Sequence, residues 1–223
     1  MILIPARNEA PRIGRVVREV RRMVPGVPVV VVVNGTTDDT AEVAEAAGAE
    51  VIHAEPGYGT ALMAGYRHAL SKPSTDWVIQ MDADGQHPAV SIPTLRTGLE
   101  SHDVVIGSRF APGGGADEWP RRRRWTIAAL GAATRALTGC PVRDVSSGFQ
   151  ALSRSALECM ETVFSVELTD ANVLARLHRS GLSIGEVGVQ MPARAGGESM
   201  HGGFNSAIYA GKTLLAVIAE ARA

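Results

Sequence analysis

Two aspartates separated by one residue, Asp82 and Asp84, stand where an apolar run from Trp77 to Met81 gives way to Asp-Ala-Asp-Gly-Gln-His-Pro88. The run has the length and composition of a buried strand, and the switch to polar residues marks its carboxyl end. Open parallel sheets bind ligands at that end. In an extended segment, residues two apart point the same way, so the two carboxylates repel unless a positive charge lies between them. A divalent cation answers that need, with Gln86 and His87 within reach as further ligands or as groups that orient them. The oxygen-rich set favours Mg2+ or Mn2+ over zinc. Such an ion, held by one or two carboxylates, usually takes its remaining ligands from substrate phosphates and offsets charge on the leaving group. The alternative is a polar turn in which one acid caps the next helix. The strand before the pair and the Gly-Gln-His-Pro after it favour the metal.

The elements that must position these acids follow in regular order. Met1 to Ile4 and Val27 to Val33 are strands without polar alternation, as expected where a parallel sheet is covered on both faces. Between them Ile13, Val16, Val17 and Val20 share one helical face. Asp39 and Glu42 have the spacing of a capping box for a helix ending at Gly48. Glu50 to Ala54 is a third strand, Gly57-Tyr-Gly59 a tight loop and Thr60 to Leu70 a helix. The alternation continues through Trp77 to Met81, a helix around Pro93 to Glu100, and a strand at Asp103 to Ile106. Strand and helix in succession predict an α/β parallel sheet. Beyond Ser108-Arg-Phe110, a glycine-rich break precedes a helix from Arg121 to about Thr138, with Gly139 as its stop. Asp144 to Phe149 is then a loop, with helices at Ser153 to Val163 and Asp170 to Arg179. Leu182 to Val189 is a strand, Arg194 to Gly203 a glycine-rich loop, and Phe204 to the end an amphipathic helix.

Composition narrows the function. A chain of 223 residues at net charge -1, 45% hydrophobic and 4% aromatic, is neither disordered nor, by bulk charge or stacking capacity, a nucleic-acid binder. Lys72 and Lys212 are the only lysines, so the cations are nearly all arginine, which suits bidentate phosphate contacts. Cys140 and Cys159 support neither a disulfide scaffold nor a zinc site. An apolar strand at the first residue leaves no room for a signal peptide, and no apolar stretch is long enough to span a bilayer. A cytoplasmic location is expected, at the inner face of the cell membrane if the protein meets lipid. Arg121 to Arg124 open a helix where cations oppose the macrodipole, at about 0.3–1 kcal/mol each. An anionic partner would relieve that penalty: a lipid phosphate, the bilayer surface or the acceptor itself. A solvated charge run is the plainer alternative.

Asp82-Ala-Asp-Gly-Gln-His-Pro88 resembles the metal and nucleotide-sugar signature of family 2 glycosyltransferases, in particular the dolichol-phosphate-mannose synthase-like branch. Pro5-Ala-Arg-Asn-Glu9 and Val33-Asn-Gly-Thr-Thr-Asp38 resemble the two segments of that family that form the nucleotide pocket. Arg7 stands in place of a tyrosine there, and Val33 and Asn34 in place of paired acids, which leaves the Asn34 amide to do part of a carboxylate's work. Gly57-Tyr-Gly59 matches a Gly-Lys-Gly with tyrosine for lysine. Gly107-Ser-Arg109 matches, and Asp144-Val-Ser-Ser-Gly-Phe-Gln150 is similar to Asp-x-Thr-Ser-Gly-Phe-Arg. Arg194-Ala-Gly-Gly-Glu-Ser199 matches the Arg-x-x-Gly-Glu-Ser of the lipid-phosphate branch, and suits a lid that excludes water. Asp144 is a candidate general base, or it holds a loop through backbone N–H groups, the more frequent job of an aspartate before serines. Glu167 and Asp170 lie near the family's acidic acceptor-side segment.

The resemblance runs from Pro5 to Ser199. It implies a GT-A fold, a Rossmann-like mostly parallel sheet with helices on both faces, in one domain whose residues 1–110 bind the nucleotide sugar and 111–223 face the acceptor. It implies an inverting, metal-dependent transfer from a UDP- or GDP-linked sugar to a polyprenyl phosphate. Asp82, Asp84 and Gln86 would hold Mg2+ or Mn2+. Pro5, Ala6, Asn8, Glu9, Asn34, Gly35, Gly57, Gly59, Asp82, Ala83 and Arg109 would line the donor site, and Asp84, Arg194 and Asp144 would serve the reaction. Two other activities fit the same residues. Transfer to a hydroxyl would need a base, with Asp144 or Asp170 as candidates. A non-catalytic nucleotide-sugar binder is suggested by Val33.

Overall fold

The computed structural model describes residues 1–115, 119–164, 166, 169, 171–192 and 204–222. Seven strands form one sheet in the order β3-β2-β1-β4-β6-β5-β7. They are β1 (Ile2–Ala6), β2 (Val29–Asn34), β3 (Glu50–Ala54), β4 (Trp77–Gln80), β5 (Val104–Ser108), β6 (Gln150–Ser153) and β7 (Ile184–Gly188). The helices are α1 (Ala10–Met23), α2 (Thr40–Ala46), α3 (Tyr58–Leu70), α4 (Ile92–Gly98), α5 (Arg121–Thr138), α6 (Arg154–Val163), α7 (Ala171–Arg179) and α8 (Phe204–Arg222).

The valines of β2 show why these strands carry no alternation. Val30 and Val32 join one apolar layer, with Ala61, Leu62 and Tyr66 of α3, Leu157 and Met160 of α6, and Leu174 of α7. Val29, Val31 and Val33 join the opposite layer, with Ile13, Val16 and Val17 of α1 and Ile92 and Leu95 of α4. Both faces are dry, and each buried valine contributes roughly 1.5–3 kcal/mol. The register runs Ile2 against Val29 through Ala6 against Val33, so β1 and β2 end side by side.

Chain order sets where a ligand fits. From β1 the chain steps outward to β2 and β3, then α3 carries it back across to β4 on the other side of β1. The crevice at such a reversal, between the carboxyl ends of β1 and β4, is where doubly wound sheets bind ligands.

Three expectations need correction. Tyr58 and Gly59 belong to the first turn of α3 rather than to a loop, because Gly57 takes φ 138° as its N-cap residue and starts the helix earlier. Asp39 is the N-cap residue of α2 but makes no side-chain cap bond. Asp38 acts instead, accepting from the Thr40 N–H at 3.2 Å. Gln150 to Ser153, where the sequence offers no strand and starts a helix at Ser153, is strand β6, antiparallel to both β4 and β5. Being antiparallel, it starts at the mouth where its neighbours end, which carries Asp144 to Phe149 to the ligand side of the sheet.

Asp103 ties three elements together at the opposite end. Its carboxylate accepts from the Ser183 N–H (2.9 Å) and hydroxyl (2.7 Å) ahead of β7. It also accepts from Ser155 (3.0 Å) and Ser153 (3.4 Å) at the start of α6. Burial works to raise its pKa, but the hydrogen bonds from Ser183, Ser155 and Ser153 outweigh it and hold the carboxyl below its usual range. The contribution is therefore whole above the unfolded carboxylate pKa of about 3.9 and is lost as pH falls through the lower folded value. Asp103→Ala should cost roughly 1–2 kcal/mol at pH 7, with the difference from wild type shrinking in urea titrations near pH 3.

Candidate functional site

At the end of β4 the chain turns sharply, and His87 closes the turn. Its Nδ1 accepts the Asp82 N–H at 2.9 Å, and its ring stacks on Phe149 with centroids 5.0 Å apart and planes 8° apart. Burial lowers its pKa, against the pull of Asp82 and Asp84, so the imidazole is neutral, with its proton on Nε2. His87 thus orients the turn, and its Nδ1 is occupied. Gly85, at φ 83°, supplies the backbone conformation the turn requires.

The two acids differ in setting. Asp84 is 8% exposed, and its Oδ1 accepts the Gln86 N–H at 2.9 Å. The Asp82 side chain is 38% exposed, and its Oδ1 accepts from the Tyr58 hydroxyl at 3.2 Å. Gly148 lies against this pair. A Cβ there would sit 3.0 Å from the Tyr58 hydroxyl and 3.3 Å from Asp82 Oδ1. The Gly148 carbonyl is held by Gln80 Nε2 at 3.1 Å, and Gln80 Oε1 in turn accepts from the buried Tyr66 hydroxyl.

Among the described residues no group of three or more His, Cys, Asp or Glu side chains could by itself cage a metal. That donor set nevertheless fits a hard cation: Mg2+ and Mn2+ bind through one or two carboxylates plus substrate phosphates. Asp82 and Asp84 supply the carboxylates at the crevice. Gln86, expected as a third ligand, directs its amide N–H to Pro192 O at 3.0 Å. It tethers the turn to the chain just before residues 193–203.

Arg109 and Asp144, expected respectively as a phosphate contact and a candidate base, are brought together by β5 and β6. Asp144 is fully buried. Its Oδ2 accepts from the Arg109 N–H (2.9 Å) and Nε (2.6 Å), and its Oδ1 from a terminal nitrogen of Arg109 (2.6 Å). That nitrogen also reaches Ser146 at 2.9 Å. Of the two roles open to Asp144, the geometry supports the holder: both oxygens face one guanidinium, which leaves it poorly placed to take a proton from an acceptor. Ser147 donates to Gly107 O at 2.6 Å, binding the same two loops. The free face of the Arg109 guanidinium lies 4.3 Å from the centre of the Trp119 ring, and Arg123 lies 3.7 Å from that ring. Burial, with Arg109 nearby, lowers the Arg123 pKa from its ordinary value.

Around β1 and β2, Asn8 stands at φ 54° and its Oδ1 accepts the Thr37 N–H at 2.8 Å. The Asn8 N–H reaches Thr36 at 3.2 Å, and the Glu9 N–H reaches Thr40 at 2.9 Å. Glu9 pairs with Arg12 at 2.9 Å. Asn34 donates its amide to Gly57 O at 2.9 Å, fixing the start of α3. Pro5 and Ala6 end β1 beside the crevice, Gly35 follows Asn34, and Ala83 is buried between the two acids. Arg194 to Ser199, Glu167 and Asp170 lie outside the described residues. Gln80, Tyr66 and Trp119 are not marked by any motif in the sequence; Gln80 matters through Tyr66 and Gly148, and Trp119 through Arg109 and Arg123.

A mostly parallel sheet of this order, with acids at its switch point and one antiparallel strand delivering a loop to the same mouth, is the GT-A architecture. The chain belongs to glycosyl transferase family 2, whose sequence model matches residues 1–161. It is similar to the undecaprenyl-phosphate mannosyltransferase of Micrococcus luteus, 33% identical over 164 residues, 69% of this chain and 65% of that one. The polyprenol monophosphomannose synthase of Mycolicibacterium smegmatis is 29% identical over 161 residues, 68% of this chain and 58% of that one. The matches thus span less than two thirds of those relatives' length. In fold the chain matches glucosyl-3-phosphoglycerate synthase from Mycobacterium tuberculosis, solved with Mn2+, uridine diphosphate and glucosyl-3-phosphoglycerate. That match has a TM-score of 0.70 at 24% identity, covering 99% of this chain and 79% of that one.

Proposed function

We propose that this protein is an inverting glycosyltransferase that moves a sugar, mannose by analogy with its relatives, from a nucleotide diphosphate sugar to a polyprenyl phosphate. The observation that carries the reading is the pair Asp82 and Asp84 at the crevice between β1 and β4, in a chain 33% identical to an undecaprenyl-phosphate mannosyltransferase. Residues 1–110 take the donor and 111–223 the acceptor. Bound at the pair, Mg2+ or Mn2+ would neutralise charge growing on the leaving diphosphate. Asp84 and Asp82 would hold that ion, with Arg194 as a further counter-charge to the diphosphate. The Asp144–Arg109 pair keeps the β5 and β6 loops rigid around it. An oxygen of the acceptor phosphate bonds to the anomeric carbon as the bond to the diphosphate oxygen breaks, and the electron pair leaves with the nucleoside diphosphate. A polyprenyl phosphate is already ionised at pH 7, so no general base is required. The test is turnover of UDP- and GDP-linked sugars with a short-chain polyprenyl phosphate in Mn2+. Product formation that vanishes with chelator supports the assignment; donor-dependent thermal shifts without product on any lipid phosphate would sink it.

Among the described residues no helix is long and apolar enough to cross a membrane. A polyprenyl phosphate sits in a bilayer, so the reading needs a surface that meets lipid, and we assign it to α5. Its first turn has no acid, its N-cap residue Pro120 makes no side-chain bond, and Arg121 and Arg122 are exposed. Trp125 is 75% exposed, and the exposed Ala129, Ala132 and Ala136 continue its stripe. Cations, an indole and a smooth apolar strip suit an anionic bilayer surface. At about 1 kcal/mol per arginine, Arg121→Ala with Arg122→Ala should weaken partitioning onto phosphatidylglycerol vesicles roughly thirtyfold and leave donor binding unchanged. Vesicle sedimentation measures this.

A further inference from the structure

Asp82 is the more exposed of the two acids, its side chain 38% exposed, and a carboxylate in that setting turns between rotamers unless a neighbour holds it. Among the described residues one side chain does so: the Tyr58 hydroxyl donates to Oδ1 at 3.2 Å. Oδ2 lies 3.8 Å from His87 Nε2, past hydrogen-bond reach, and so remains open to a ligand. Tyr58 is itself fixed. It opens α3, whose start is set by the bond from the Asn34 amide to Gly57 O at 2.9 Å. Its ring packs against the apolar layer that contains Leu62 and Tyr66 of the same helix. Gly148, on the loop ahead of β6, leaves the hydroxyl its room, since a Cβ there would come within 3.0 Å of it. The donor is also neutral. A cationic donor on the same oxygen would compete with a metal for the charge of Asp82, whereas a phenol holds the carboxylate and leaves its charge in place.

We infer that Tyr58 is a positioning residue of the metal site: through Oδ1 it fixes the Asp82 carboxylate so that Oδ2 is presented to Mg2+ or Mn2+. The inference rests on the metal site proposed above. Hydrogen-bond partners of metal-ligating groups typically account for about ten- to a hundredfold in metal affinity, and with Asp82 partly in water the lower figure is expected here. The test is calorimetric titration of the whole protein with the Mn2+ complexes of UDP and of GDP, for wild type, Tyr58→Phe, Asp82→Asn and the double variant. Tyr58→Phe keeps the ring in its apolar layer and removes only the hydroxyl, and should weaken binding about tenfold. In the Asp82→Asn background the same change should weaken it by no more than about twofold, because its effect passes through the carboxylate. Wild-type affinity in Tyr58→Phe, or an equal loss in both backgrounds, would overturn the inference and leave the metal site standing. A wild type that binds neither complex would overturn the metal site itself, and the inference with it.

Discussion

Asp84→Asn is expected to lower turnover by about 10²- to 10³-fold, the loss of several kcal/mol of transition-state stabilisation, while the protein stays folded. Asparagine keeps the volume of aspartate and an amide oxygen to accept the Gln86 N–H, now 2.9 Å from Asp84 Oδ1. The turn therefore survives. What disappears is a negative charge at a position only 8% exposed, where water screens it little. On the proposed reading, weaker metal affinity and weaker neutralisation of the leaving diphosphate both follow, so raising Mn2+ should recover part of the rate and no more. Asp82→Asn should cost less. That side chain is 38% exposed, and its Oδ1 already shares charge with the Tyr58 hydroxyl. Initial rates across a Mn2+ series, beside thermal midpoints with and without metal, separate these effects. A wild-type rate for Asp84→Asn would remove the metal site from the account.

Asp144→Ala should destabilise the protein by roughly 3–5 kcal/mol, the cost of leaving one partner of a buried ion pair alone. The Arg109 guanidinium would then face an empty place at two of its nitrogens, at a site where its side chain and that of Asp144 are 5% and 0% exposed. The Arg109 backbone N–H would lose its acceptor as well. Arg109→Ala should cost a similar amount. The double variant should cost clearly less than the two singles added, because neither charge is then stranded. Urea unfolding of the four proteins measures this cycle. The same variants bear on mechanism: a general base at Asp144 would move the pH profile of kcat with stability intact, whereas a holder lowers stability and leaves the shape of the profile alone. Additive single losses would show that the pair is not a unit.

The residues that let the chain be read were those whose meaning is local. The run Trp77 to Met81 ending in Asp82-Ala-Asp84 announces a strand and its ligand end whatever surrounds it, and the uninterrupted valines of β2 announce a sheet covered on both sides. Helix α5 was legible at both ends, with Gly139 at φ 72° as its stop. The α/β succession through β5 needed only the alternation of apolar runs and helical faces.

What the sequence by itself determined, then, was the class of fold and the carboxylate pair. Tertiary structure alone decided which polar groups are available to a ligand. Strand β6 has four residues, too few to show a period, yet its antiparallel pairing brings Gly148 beside Asp82. Asp144 meets Arg109 across 35 residues of chain, Gln86 meets Pro192 across 106, and Asn34 meets Gly57 across 23. In each case the sequence shows a side chain able to serve a substrate, and the folded chain gives it a protein partner first. Periodicity is imposed by neighbours within a turn or a pleat and is written locally. A hydrogen-bond partner is set by which strands lie side by side, and that is fixed only when the sheet has formed.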